Sequence, residues 1–431
     1  MKKRISIFRT AAAAAVFLLS LLVFSGIFTA PSVFFKLQAA PALMRVFAAC
    51  SAAALLILAA VIVVTLAAGR FYCSFFCPFG ILQDIIIFLS RRKSAPVRDF
   101  VILRSLIAGI TAGLCAGGIN YGFLLLDPYS VSGRIMASFS FAGLTALLLI
   151  AGLCIWKKRI FCTAVCPVGT LLGVFSKAGI FHLMISDSCI RCGKCVKSCP
   201  AGCIDPEKHF IDNGRCIRCM KCMESCPLGS ISFRRTGREN FADGERRKFL
   251  FSCGVLVSGA VLGFALAKSG LIRTGRKLHI LPPGAESMER FSKKCTACML
   301  CKVNCPSGII VSDGAGPVHL DLDRGVCNYN CKRCSEVCPA GALPVLTLPE
   351  KRRIKIAEAK FDPGYCIVFQ EGETCGRCAG VCPTGAITLR KNGTPRPVKT
   401  ALCIGCGACQ KVCPAAPRAM TVNAIGKQIC I

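Results

Sequence analysis

CIRCGKCVKSCP (residues 189–200) and CIRCMKCMESCP (residues 216–227) decide how this chain is to be read. Each carries Cys-x2-Cys-x2-Cys-x3-Cys-Pro spacing: Cys189, Cys192, Cys195 and Cys199, then Cys216, Cys219, Cys222 and Cys226. Three closely spaced thiolates wrap one side of an iron–sulfur cubane, and in the bacterial two-cluster pattern the fourth cysteine of each run serves the other cluster. Cluster one therefore takes Cys189, Cys192, Cys195 and Cys226, and cluster two takes Cys216, Cys219, Cys222 and Cys199. A zinc ribbon would need separated Cys-x2-Cys pairs instead of two runs of four. Cys203 is left over and reads as a packed neutral thiol.

Four more runs follow toward the C-terminus, each ending in Cys-Pro. Cys295, Cys298, Cys301 and Cys305 keep the spacing, as do Cys403, Cys406, Cys409 and Cys413. The first gap is stretched to three residues in Cys327, Cys331, Cys334 and Cys338, and to eight in Cys366, Cys375, Cys378 and Cys382. These runs imply four further 4Fe–4S clusters, making six. Spacing does not fix which runs exchange their fourth cysteine. A nested scheme, first with last and the middle two together, pairs like with like and is favoured over adjacent pairing.

The remaining sequence is apolar. Of 431 residues 54% are hydrophobic, and the mean hydropathy of +0.58 is too high for a soluble globular protein. Thirty-four cysteines could serve disulfides in an exported chain, but disulfides do not predict these spacings. The formal charge of +32 falls to about +20 once six clusters with four thiolates each contribute roughly −2. Much of the excess flanks apolar segments, at Lys2–Lys3–Arg4, Arg91–Arg92–Lys93, Lys157–Lys158–Arg159 and Arg246–Arg247. That is the positive-inside pattern, and it sets nucleic-acid binding aside. Five segments are expected to span a bilayer: Ala11–Ala30, Val46–Ala68, Val101–Leu126, Met136–Trp156 and Phe249–Ala267. The basic clusters put the N-terminus and residues 157–247 in the cytoplasm, and residues beyond about Lys268 outside. The fold class is thus an α-helical membrane domain of about five transmembrane helices plus two small α+β ferredoxin-like modules.

The apolar half contains a repeat. GRFYCSFFCPFGIL (residues 69–82) aligns without a gap on KRIFCTAVCPVGTL (residues 158–171). Two helical hairpins ending in Cys-x3-Cys-Pro would bring Cys73, Cys77, Cys162 and Cys166 together, as a seventh soft-metal site, a redox-thiol site, or buried small residues turned by Pro78 and Pro167. No histidine falls in a span, which argues against a b-type haem. Asp84 and Asp127 could take protons from a quinol, or cap and solvate helix ends. Arg246-Arg247 ahead of an apolar segment reads as a twin-arginine export signal or as ordinary inner charge. The domains are expected at 1–184 (membrane), 185–235 (two-cluster ferredoxin), 245–270 (fifth span) and 285–431 (four-cluster ferredoxin).

With two Cys-x3-Cys-Pro motifs and a two-cluster ferredoxin tail, residues 1–235 resemble the NapH-type membrane ferredoxins. Residues 245–431, with the twin arginine and four cysteine runs, resemble the NapG/MauM-type periplasmic ferredoxins. Glu245 and Phe251 stand where the export signal's usual flanking serine and lysine would be. The resemblance implies a NapH–NapG fusion serving as a quinol dehydrogenase accessory in the bacterial inner membrane. It would pass electrons from the quinol pool, with quinone as the substrate couple, to an exported partner reductase or cytochrome. Its N-terminal ferredoxin would be cytoplasmic and its C-terminal one periplasmic. The alternative is a maturation or regulatory polyferredoxin that supplies electrons to assemble or reactivate a metalloenzyme.

Overall fold

Runs rich in alanine, leucine and isoleucine, with prolines confined mostly to helix starts, make the N-terminal part of the chain helical. The computed structural model describes residues 2–27, 33–36, 38–49, 52–90, 99–137, 141–235, 243–269, 278–313, 316–391 and 393–431. The chain forms two units, one from residues 1–27 and 35–273, the other from 28–34 and 274–431. The principal helices of the first unit are Lys2–Phe24, Ala52–Ala68, Pro78–Ser90, Val101–Ala116, Phe141–Lys157, Pro167–Lys177 and Asp243–Lys268.

Two of them are long and apolar enough to cross a membrane, over Ile7–Phe24 and Arg247–Lys268, where the sequence led us to expect five spans. The expected second, third and fourth spans form helices of 17, 16 and 17 residues. The third stops because Gly117 and the left-handed Gly118 (φ +90°) turn the chain, which resumes as the short helix Tyr121–Leu126. The fourth is preceded by a separate helix, Pro128–Ala137, begun by its proline. Ala39–Ala49 and Ala52–Ala68 flank residues 50–51 in the second. Leu56, Phe88, Leu148, Leu149, Val257 and Val261 turn outward and are exposed on these helices. The basic cluster Arg91–Arg92–Lys93 and the side chain of Arg246 lie outside the described residues.

One helix pair is set by glycine. Helix Asp243–Lys268 packs on Val101–Ala116 so closely that a Cβ at Gly109 or Gly113 would run into the carbonyls of Leu256 or Ala260. A Cβ at Gly263 would meet Ile110 in the same way. Small residues four apart on both helices are the usual means of close helix approach in apolar surroundings.

The ferredoxin of the first unit has four short strands: β1 (Phe181–Ile185), β2 (Ile204–Asp205), β3 (Phe210–Ile211) and β4 (Ile231–Arg235). β1 pairs antiparallel with β4, Leu183 opposite Phe233, and β2 pairs with β3. Leu183, Ile185, Ile204, Ile211 and Ile231 pack around its cysteines. In the second unit β5 (Ile310–Ser312) pairs with β6 (Val318–Leu320), and β7 (Ile354–Phe361) with β8 (Met420–Cys430), all antiparallel. Gln428 near the C-terminus closes this unit. Its Oε1 accepts from the Gly284 and Glu286 amides at 3.0 and 3.2 Å, and its Nε2 donates to the Leu281 and Pro282 carbonyls.

Candidate metal centres

The cysteine loops are bent the same way by their backbone. In four of the six runs the second and fourth residues after the first cysteine are left-handed: Arg191 and Gly193, Arg218 and Met220, Ala297 and Met299, Gly405 and Gly407. Five of those eight are not glycine, and non-glycine residues adopt this conformation only where the surroundings enforce it. The bends curl three successive thiols toward one point. After the fourth cysteine of five runs, the glycine of Cys-Pro-x-Gly is also left-handed: Gly202, Gly229, Gly308, Gly341 and Gly385. Its amide bonds the cysteine carbonyl at 3.1–3.3 Å at Gly308, Gly385 and Gly229, so the chain turns back immediately past the thiol.

The thiols gather in fours. Cys189, Cys192, Cys195 and Cys226 line one cavity of the first unit, and Cys222 lies among Cys216, Cys219 and Cys199. Each set combines three cysteines of one run with the fourth of the other. Cys203 sits beside the second set, its Sγ 3.6 Å from that of Cys199.

In the second unit the exchange is between neighbouring runs, not nested. Cys305 joins Cys327, Cys331 and Cys334 around one cavity, and Cys338 joins Cys295, Cys298 and Cys301. Likewise Cys382 joins Cys403, Cys406 and Cys409, while Cys413 packs with both Cys366 and Cys378, the latter beside Cys375. Similarity of spacing does not choose the partner; the antiparallel fold-back of adjacent runs does. The middle two quartets meet where the Cys327 amide donates to the Cys406 carbonyl at 2.9 Å. Lys351 is buried there, its Nζ donating to the carbonyls of Asn328 and Tyr329. The four quartets thus form a row.

These sets fit a thiolate-bound metal core. Burial first, then neighbouring thiols, push the Cys334 and Cys409 thiols up to about 12. Four thiolates at such a point need a positive centre among them.

The repeated Cys-x3-Cys-Pro motifs build another buried quartet. Cys77 and Cys166 stand directly before the helices that Pro78 and Pro167 begin, and the Gly169 amide donates to Cys166 Sγ at 3.2 Å. Cys73, Cys77, Cys162 and Cys166 are all buried and in electrostatic reach of one another. Sequence reading missed the two arginines, each three residues before its motif's first cysteine, that lock the copies together. Arg70 Nη2 donates to the Cys162 carbonyl at 2.9 Å, and Arg159 Nη1 to the Cys73 carbonyl at 3.2 Å. Both are fully buried. The preceding residues, Gly69 (φ +71°) and Lys158 (φ +51°), are left-handed in both copies. A Cβ at Gly80 would run into the Cys73 carbonyl and one at Gly169 into the Cys162 carbonyl, so both motifs need glycine. Gln83 Nε2 lies 3.0 Å from Cys162 Sγ.

Asp84 is occupied. Arg159 Nε donates to its Oδ1 at 3.0 Å, Nη2 lies 2.7 Å from Oδ2, and Arg9 approaches at 3.5 Å. That leaves it a structural ion pair. Asp127 caps Pro128–Ala137, its Oδ2 accepting from the Ser130 amide and hydroxyl at 2.8 Å each. Its Oδ1 is buried with no hydrogen-bond partner among the described residues.

The ferredoxin rests on this layer. Lys158 Nζ donates to the carbonyls of Lys197 and Cys199, the Arg159 amide to Pro200, and Arg70 Nη1 to Gly214. Two adjacent residues thus bond both quartets' backbones, Arg159 the Cys73 carbonyl and Lys158 the Cys199 carbonyl.

Known proteins carry the same parts. Residues 51–96 and 139–183, one segment for each copy of the repeat, match a 4Fe-4S binding domain. Residues 183–227, 212–309, 326–386 and 372–417 match 4Fe-4S dicluster domains. The chain is 34% identical over 158 residues to the putative electron transport protein YccM of Escherichia coli, covering 32% of this chain and 43% of that protein. It is 28% identical over 142 residues to the ferredoxin-type protein NapH of the same organism (31% and 49%) and 29% identical over 143 residues to the methylamine utilization ferredoxin-type protein MauN of Paracoccus denitrificans (31% and 50%). Over about a third of its length, this chain is similar to NapH- and MauN-type ferredoxins. It spans about half the length of the curated relatives it matches. No solved structure matches it. The chain therefore carries several 4Fe–4S binding domains.

Proposed function

We propose that the chain is a membrane-bound wire that takes electrons from quinol and delivers them to an exported reductase. The observation that carries this reading is the Lys158–Arg159 pair, which bonds the Cys73 carbonyl of the buried thiol quartet and the Cys199 carbonyl of the second ferredoxin quartet. Electrons entering at Cys73, Cys77, Cys162 and Cys166 would leave through Cys216, Cys219, Cys222 and Cys199. The thiol quartet is assigned a soft metal or cluster, because four buried thiols held by two guanidinium groups and an amide suit a thiolate-bound core. The 24 ferredoxin-type cysteines hold six 4Fe–4S clusters, which supply one-electron storage and transfer when bound. The row in residues 274–431 is the delivery end, and the reading of that part as a fused NapG-like module belongs here too. The outward apolar side chains and the glycine-packed helix pair support a bilayer around the helices.

Quinol oxidation also releases protons. Asp127 is the acceptor in this reading: its Oδ1 is buried without a hydrogen-bond partner among the described residues, and Tyr72, whose hydroxyl donates to Gln38, lies in electrostatic reach of both Cys77 and Asp127. Full-length protein, cluster-loaded and anaerobic, is mixed with a quinol analogue and followed by EPR and absorbance. Rapid reduction of the clusters is expected, slowed about 100-fold or more in Asp127→Asn. Failure of quinol to reduce any cluster would refute the reading and favour a maturation role.

A further inference from the structure

Two of the chain's four histidines meet an aspartate at the surface of the second unit. His319 lies in β6. His279 directly precedes Ile280, which bridges to Leu320 of that strand. Asp313 follows the last residue of β5. The imidazole rings stand 4.2 Å apart between centroids, tilted by 36°. Each Nε2 is 3.9 Å from the same oxygen, Asp313 Oδ2, and one donor atom from each residue falls within 4.8 Å of the others.

These distances exceed those of hydrogen bonds, so the three groups face one another without bonding. The two imidazoles are anchored on strand backbone and largely covered, with side chains 28% and 13% exposed, whereas the Asp313 side chain is 74% exposed. The carboxylate can swing inward while the nitrogens stay in place. Metal–nitrogen bonds of about 2.0–2.1 Å require donors roughly 3–3.5 Å apart, so closure asks for about 1 Å of movement. Two imidazole nitrogens and one carboxylate oxygen suit a borderline cation, with one position left for water. Thiolate-poor, this donor set differs from every cysteine quartet in the chain.

We propose that His279, Asp313 and His319 form a mononuclear site for a borderline divalent cation such as Zn²⁺, at one end of the row of clusters. The site adjoins that end through the backbone. The amide of Val318, next to His319, donates to Cys295 Sγ, so His319 stands one residue from an amide that bonds a cluster ligand.

The test uses full-length, cluster-loaded protein under anaerobic conditions, incubated with Zn²⁺ alone and desalted. Zinc content is measured with iron content, and zinc-edge X-ray absorption reports the ligand type. One zinc per chain in nitrogen and oxygen coordination is expected. His279→Gln/His319→Gln should bind at least about tenfold more weakly with iron unchanged. The single variants carry the same comparison if the double variant fails to load its clusters. Zinc held only by sulfur, no retained zinc, or equal zinc in wild type and variants would each overturn the proposal.

Discussion

The pairing of neighbouring cysteine runs in the second unit can be tested by counting iron in a mutant cycle. Cys338 closes the quartet begun by Cys295, Cys298 and Cys301, although it belongs to the next run in sequence. Removing Cys301 and removing Cys338 should therefore damage the same cluster. With four irons per cubane, Cys301→Ala and Cys338→Ala should each lose about four of roughly 24 irons in the ferredoxin-type sites, and the double variant should still lose about four. A nested arrangement puts the two residues in different clusters, and the double variant then loses about eight. This non-additivity is the usual signature of residues acting on one unit. The assay is iron and sulfide analysis on anaerobically purified protein, with low-temperature EPR to count reduced centres. Two independent losses of about four irons would refute the adjacent pairing.

Three further outcomes follow from the geometry. Arg159→Leu strands Asp84 with only the longer contact to Arg9, and breaking such a buried pair should cost about 3–5 kcal/mol, read as a lower unfolding midpoint in detergent; an unchanged midpoint would show the pair to be dispensable. Lys351→Met removes a cation lying between Cys327 and Cys406. At an effective dielectric of about 20 such an interaction is worth on the order of 1–4 kcal/mol. Loss of the cation disfavours the reduced, more negative clusters, so EPR-monitored titration should find two midpoints lowered and the others unmoved. Because burial and neighbouring thiols raise Cys334 and Cys409 to about 12, the metal-free thiols are protonated at neutral pH, and metal uptake releases their protons. Cluster retention against an iron chelator should then fall as pH is lowered, since the metal-free form binds the extra protons; retention independent of pH from 8 to about 5.5 would contradict those shifts.

The cysteine chemistry was legible because ligand spacing is local. Cys189 to Cys199 and Cys216 to Cys226 state their loops outright, and the left-handed Arg191 and Arg218 are the backbone form of the same information. Pairing in the second unit was not legible, because Cys338 meets Cys295 only after the chain folds back, and likeness of spacing carries no distance. Span lengths failed for a different reason. Hydropathy averaged over 101–126 hides the Gly117–Gly118 turn, which ends the helix without interrupting the apolar run. The glycines that pack Val101–Ala116 on Asp243–Lys268 were visible in the sequence, but their role lies in the partner backbone. Asp84 and Asp127 looked alike as acids near helix ends. Only the fold shows one held by Arg159 and the other capping a helix through Ser130.

The arginines explain why the Cys-x3-Cys-Pro motif occurs twice in one chain. Arg70 of the first copy bonds the Cys162 carbonyl of the second, and Arg159 of the second bonds the Cys73 carbonyl of the first. Neither copy can complete its own surroundings. A lone copy would leave a buried guanidinium facing an apolar gap and a cysteine carbonyl without its donor, each unmet group costing about 1–3 kcal/mol or more where charged. The duplicated halves therefore make one site. The same exchange orients what lies above it, because Arg70 and Arg159 also donate to Gly214 and Asp84, one in the ferredoxin and one in the helix beneath it. The register between the thiol quartet and the ferredoxin is thus fixed by the residues that close the quartet. A variant that breaks the exchange should loosen the ferredoxin's seat along with the thiols.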